Sequence, residues 1–378
     1  MLVKAFFRWS ETAKAGDRAK AANALGRAYL QSSLSDDDRR STYVAMTYLL
    51  DDPSPKVRLA LAETLAYAAD APRALILSLA EDQPEIASRV ILCSPVLDDR
   101  DLVDLAGRGS NFTRALIAAR PGLSFAVAAA LVEIGEMAEC LILLENASAN
   151  LSPFSLIRLT ERHSRHEAIR GALLDRPDLP GQARHLLVRS VGDAFAASSL
   201  VRSALGETKL SRINCEAGVS AAAVIAGDVA FEEIPGLVEQ MCANGHLTPA
   251  LLMEILCRGK ADFFAAAIEA LSGVHERRVR SILATGRMHA VRALLESAGL
   301  NRSVAPLFVE AVMLWRNAVQ TARHSEMGNI CQALLHKGRS LTCDDFAQKL
   351  LDLVESLMRD DERRQARRYA AHLVVDAA

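Results

Sequence analysis

Apolar residues recur along this chain at steps of three and four, and short polar turns interrupt them after about ten to sixteen residues. Val57, Leu61 and Leu65 fall at i, i+4 and i+8, the spacing of a buried helical face. Tyr43, Met46, Leu49 and Leu50 share a face in the same way. Runs alternating with a period of two, the mark of strands, are nearly absent. The pattern therefore predicts an all-α chain.

Turn chemistry sets the helix starts. Ser35 precedes three aspartates, which complement the positive end of a helix dipole. Ser54-Pro55 pairs a capping side chain with a ring suited to the first helical position. Ser152-Pro153, Leu179-Pro180, Thr248-Pro249 and Ser303 followed by Pro306 predict further starts, and glycines 206, 245, 259, 286 and 299 predict helix ends. Arg120-Pro121-Gly122-Leu123 and Arg176-Pro177-Asp178-Leu179 echo one another.

Leu49 through Ala66 reads as the turn and second helix of a HEAT-type repeat, and Leu79 through Ala87 is a degenerate copy about thirty residues later. Repetition at that period predicts a right-handed α-α superhelix, a HEAT-like α-solenoid with one core running from repeat to repeat. Asp52 and Arg58 have the spacing of the residues that form inter-repeat ladders in HEAT proteins. Six residues after Asp82 stands Ser88, so a broken or shifted ladder is expected there. The expected organisation is N-terminal repeats over 1–210, continuous C-terminal repeats over 211–341 and a capping helix over 342–378. In that last segment Phe346, Leu350, Leu353 and Leu357 follow a coiled-coil-like spacing.

Composition narrows the function more than it names it. Hydrophobic residues make up 51% and aromatics only 5%, which suits close helix packing through Ala and Leu. The 44 basic and 46 acidic residues are spread with little asymmetry, so the basic stripe of a nucleic-acid binder is missing. The cysteines at 93, 140, 215, 242, 257, 331 and 343 form no CxxC pair, as expected of a reduced cytoplasmic protein. The longest uncharged run, Gln240 to Met253, is too short and interrupted to span a bilayer, and the first residues do not read as a secretory signal.

Several stretches together resemble an uncharacterised bacterial family of HEAT-like repeat proteins, catalogued as a domain of unknown function. They are Phe7-Arg8-Trp9, Asp52 through Ala66, Ala71-Pro72-Arg73, Leu79 through Asp82, Cys93 through Leu97, Asp101-Leu102-Val103, Arg176 through Pro180, Gly245 through Pro249 and Ala298-Gly299-Leu300. The resemblance implies a superhelical all-α fold and a cytoplasmic bacterial protein. It brings no catalytic residues.

Arg158, Arg162 and Arg165, with His163, His166 and Arg170, form the densest basic cluster. The three arginines fall at i, i+4 and i+7, so the candidate partner-binding residues are Arg158, Arg162, His163, Arg165 and His166, on a face suited to carboxylates or phosphates. The alternative is a solvated face of local ion pairs. Arg277, Arg278 and Arg280 read as a solvated helix start. No metal set, phosphate loop, dinucleotide fingerprint or catalytic serine motif is found, so no cofactor or catalytic residue is assigned. The expected function is a non-enzymatic scaffold that binds a protein partner on its concave face. A nucleic-acid-binding or DNA-repair protein is the first alternative. The second is a membrane-surface adaptor acting through Phe6, Phe7 and Trp9.

Overall fold

The structure is a computed structural model that describes residues 2–31, 33–320, 327–338 and 344–376. Among these residues there are 23 α-helices, one 3-10 turn at Phe231–Glu233 and no strand. The chain divides into two compact units, Met1–Leu179 and Pro180–Ala378.

The first unit contains α1 (Leu2–Thr12), α2 (Ala15–Gln31), α3 (Asp36–Leu50), α4 (Pro55–Leu65), α5 (Arg73–Ala80) and α6 (Pro84–Cys93). It continues with α7 (Asp99–Arg108), α8 (Asn111–Ala119), α9 (Phe125–Ile134), α10 (Met137–Glu145), α11 (Pro153–His163) and α12 (Glu167–Leu174). Helices two apart in the chain pack on one another: α2 on α4, α4 on α6, and onward through α8 and α10 to α12. The odd helices do so from α1 to α3 to α5 and from α7 to α9 to α11. Two stacked rows joined by short turns are the architecture of a helical-repeat solenoid. Val57, Leu61 and Leu65 are fully buried between layers, each contributing roughly 1.5–3 kcal/mol by leaving water.

Three of the predicted helix starts carry side-chain caps. The hydroxyls of Ser35, Ser152 and Thr248 accept from the amides of Asp38, Ser155 and Leu251. Ser54 differs: its side chain makes no capping bond, and its own N–H donates to the Asp52 carboxylate. That carboxylate closes the turn that Pro55 then leads into the helix.

A second regularity runs through the even helices. The fourth residue of α2, α4, α8, α10 and α12 is Arg18, Arg58, Arg114, Cys140 and Arg170. Each donates back to a carbonyl of the preceding turn, at Ala13, Asp52, Gly109, Gly135 and Arg165 respectively. In α6 this position is Ala87, which has nothing to donate.

The second unit contains α13 (Gly181–Ala197), α14 (Ser199–Leu205), α15 (Glu207–Asp228), α16 (Ile234–Ala243), α17 (Pro249–Cys257) and α18 (Ala261–Ser272). After these come α19 (Glu276–Thr285), α20 (Met288–Ser297), α21 (Ala305–Gln320), α22 (Met327–Gly338) and α23 (Asp345–Asp376). Here α17 is a hub, touching α15, α18, α21, α22 and α23. Every residue from Leu251 to Cys257 is buried, including Glu254, whose charge is met by Arg258 at 2.7 Å.

Cations and amides from neighbouring helices cap exposed C-terminal carbonyls. Arg120 donates to Ile91 and Ser94 at the end of α6, and Asn146 donates to Ala118 and Arg120 at the end of α8. Arg162 does the same at Val132 in α9, and Arg316 at Leu283 and Gly286 around the end of α19. Helix ends leave such carbonyls without intrahelical donors and bear partial negative charge, so each bond fixes one helix against the next. The two echoed segments thus part ways: Arg120 caps α6, whereas Arg176 pairs locally with Asp178.

In α23 the buried stripe is Ala347, Leu350, Leu351, Val354 and Leu357, while Phe346 is exposed. The seam is wider than the predicted one because the helix packs against both α22 and α17. Thr342 and Cys343 lie outside the described residues.

Candidate functional site

The ladder residues come first, because they fix the layers that carry everything else. Arg18 grips Asp52 with two bonds, at 2.7 and 3.0 Å, and Arg58 grips Asp82 at 2.6 and 2.9 Å. The Asp52 carboxylate and the Arg58 guanidinium are therefore not paired with each other: each reaches into an adjacent repeat, and Arg58 meets Asp52 only at its main-chain carbonyl. Burial pushes the carboxyl of Asp52 up, but the Arg18 guanidinium, the Ser54 amide and the Arg58 charge together hold it below the usual carboxylate range. Asp82 is lowered in the same way by Arg58 and the Gln83 amide, against burial. With Ala87 in the donor position, no ladder arginine follows Asp82. A weaker form resumes at Arg114, whose Nε lies 3.9 Å from Glu139.

The basic cluster is less open than its spacing implies. Arg158 binds Glu133 through two nitrogens, at 2.8 and 3.1 Å, and reaches Glu161 at 3.2 Å. Arg162 is spent on the α9 carbonyl. His163 is buried, and desolvation, with the charges of Arg162 and His166, lowers its pKa against a hydrogen bond with the Gly135 backbone. Of the cluster, Arg165 and His166, in the turn between α11 and α12, are the exposed members.

Beneath this turn lies a polar cluster that the sequence did not disclose. Glu139 is 2% exposed, and neither carboxylate oxygen has a hydrogen-bond partner among the described residues. His163 Nε2 and Arg114 Nε are likewise buried without one. Burial pushes the Cys140 thiol up to about 11, so it stays protonated near neutrality and is a poor nucleophile. Among the described residues no three His, Cys, Asp or Glu side chains are placed to hold a metal ion.

The surface above is an edge built from three successive turns, those joining α7 to α8, α9 to α10 and α11 to α12. Neighbouring layers along this edge are tied together: Asn111 donates to Glu136 at 3.5 Å, and Arg162 of α11 donates to the Val132 carbonyl of α9. Along this edge Phe112, Ile134 and Met137 are 47%, 41% and 39% exposed, and the row ends at Arg165 and His166. Exposed apolar side chains that continue from turn to turn form a patch rather than isolated surface residues.

At the other end of this unit, the Phe7 ring packs against Tyr48 at 4.5 Å, while Phe6 and Trp9 lie 5.7 Å apart. No described helix is long and apolar enough to cross a membrane.

A family model described as "Uncharacterised protein conserved in bacteria (DUF2336)" matches residues 86–342. The chain belongs to this family. The DUF2336 match contains the whole turn edge, the basic cluster and the α17 hub, but begins after Asp52, Arg58 and Asp82. No curated protein and no solved structure matches the chain.

Proposed function

We propose that this DUF2336 protein is a non-enzymatic scaffold in the bacterial cytoplasm, and that the turn edge of its first unit takes up a protein partner. The observation carrying this reading is the row Phe112, Ile134, Met137 leading to Arg165 and His166. Apolar side chains provide contact area, and the basic end selects partners with an acidic residue beside an apolar one. Stacked helices hold these side chains in place beforehand, so little entropy is lost on binding. A high thiol pKa at Cys140 and the engagement of Arg158 and Arg162 within the chain favour a docking surface over a reaction centre.

The test replaces Phe112 or Met137 with a photo-crosslinking phenylalanine analogue, identifies the captured protein and reconstitutes it with the purified chain. Met137→Ser combined with Arg165→Glu is expected to weaken the reconstituted complex by at least about tenfold while leaving thermal unfolding unchanged. Undiminished affinity in that variant, or duplex DNA as the crosslinked species, rejects the reading.

A further inference from the structure

In the second unit, α16, α18 and the start of α19 enclose a groove of about 540 Å³. Its apolar lining includes the buried Val238, the exposed Phe231 and two small residues one turn apart, Ala266 and Ala270, which leave the space open. Its rim is acidic: Glu239, Asp262, Glu269 and Glu276 face a single arginine, Arg280, for a net charge of −3. Arg280 is committed to Asp262 and Glu276, and Glu269 accepts the Glu276 amide. Glu239 is exposed and has no hydrogen-bond or ion-pair partner among the described residues.

The same unit carries a segment of opposite character. Among the described side chains of α23 the last buried one is Leu357, and those after it are exposed or half-buried. Asp361, Arg364 and Gln365 still border a cleft with Ala223 and Arg258, and Arg363 and Arg364 lie 3.6 and 3.7 Å from Asp360 and Asp361. The described side chains from Gln365 onward are all exposed, and helix without a packed face is marginal in water. Residues 363–376 contain Arg363, Arg364, Arg367 and Arg368 against one acid, Asp376, for a net charge of +3. They also place Tyr369, 68% exposed, four residues before Leu373.

We propose that residues 363–376 of one molecule dock in the α16–α18 groove of a second copy. Arginines meet the carboxylate rim, with Glu239 as the uncommitted anchor, and apolar side chains reach the floor over Val238 and Ala266. Reciprocal exchange closes the assembly as a two-fold dimer, because each copy offers one arm and one groove. This inference is independent of the turn edge in the first unit and involves none of its residues.

Sedimentation velocity on the full chain tests it, alongside a chain stopped after Glu362 and the variant Glu239→Lys. The full chain is expected to dimerise with rising concentration and to dissociate as salt rises from about 0.05 to 0.5 M, where screening shortens to a few ångströms. The stopped chain retains Leu357 and its packing, which circular dichroism checks, and is expected to be monomeric. A labelled peptide of residues 363–376 is expected to bind the stopped chain and to bind it at least about tenfold more weakly after Glu239→Lys. A full chain that stays monomeric overturns the proposal, even if the peptide binds, since the arm then serves its own groove. A dimer that survives in the stopped chain or in Glu239→Lys also overturns it.

Discussion

Acidification from pH 7 to pH 5 is expected to weaken the second unit, and His185 sets the size of the effect. This imidazole on α13 is 3% exposed, lies edge-on to His246 at 5.1 Å, and has no partner for Nδ1 among the described residues. Burial, then the charges of His246 and Arg189, lowers its pKa from 6.5 to about 4. His246 is lowered as well, by burial and Arg189 against Asp193. The unfolded chain therefore takes up a proton at His185 that the folded chain refuses. Stability is retained above the unfolded pKa, falls as pH drops through it, and levels off below the folded value. With pKa values of about 6.5 and 4, the loss between pH 7 and pH 5 is about 2 kcal/mol, approaching ~3 kcal/mol at lower pH.

Urea unfolding at both pH values measures it, and the chain has only two tryptophans to report. Trp315 lies in the second unit, its indole N–H bonded to the Leu256 carbonyl at 2.5 Å, and a Trp9→Phe background makes it the sole reporter. His185→Leu removes the titration, so its pH 7 to pH 5 loss is expected to be smaller than that of the parent by about 2 kcal/mol. Equal losses in parent and variant refute the reasoning.

Further outcomes follow from the ladder and the hub. Arg58→Met strands a largely buried Asp82 carboxylate and is expected to cost about 2–3 kcal/mol in urea unfolding, whereas Arg176→Met, which breaks a local pair with an exposed acid, is expected to cost under about 1 kcal/mol. The depressed carboxyls of Asp52 and Asp82 make the ladder's contribution complete above the ordinary carboxylate range and lost as pH falls below it, so Arg58→Met is expected to flatten acid unfolding. Gly259 has φ +72°, and a Cβ there falls 2.6 Å from the Trp315 ring; Gly259→Ala is expected to cost about 2 kcal/mol or more and to shift Trp315 emission.

Local signals were legible in the sequence because they act within a few residues. The Ser152-Pro153 and Thr248-Pro249 starts and the Val57, Leu61, Leu65 stripe stand where the spacing puts them. Gly286 also ends its helix, but in extended backbone, whereas Gly273 adopts the left-handed conformation at an end the sequence did not mark. Long-range pairings were not legible. Arg120, Arg162 and Arg316 bond to main-chain carbonyls, which every residue possesses, so no sequence feature marks their targets. For the same reason the sequence left the 158–166 cluster open between a partner-binding face and a face of local ion pairs, and did not mark that two of its arginines are spent on α9. His185 and His246 meet only because α13 packs on α16. The turn edge was hidden too, since Phe112 and Met137 look like ordinary core residues until the turns align.

Hydrogen exchange of the reconstituted complex, compared with the chain alone, bears most directly on the scaffold reading. Slowed exchange concentrated over residues 108–116, 133–140 and 163–168, with the second unit unchanged, is the predicted result. A complex that forms while those three turns exchange as fast as before contradicts it.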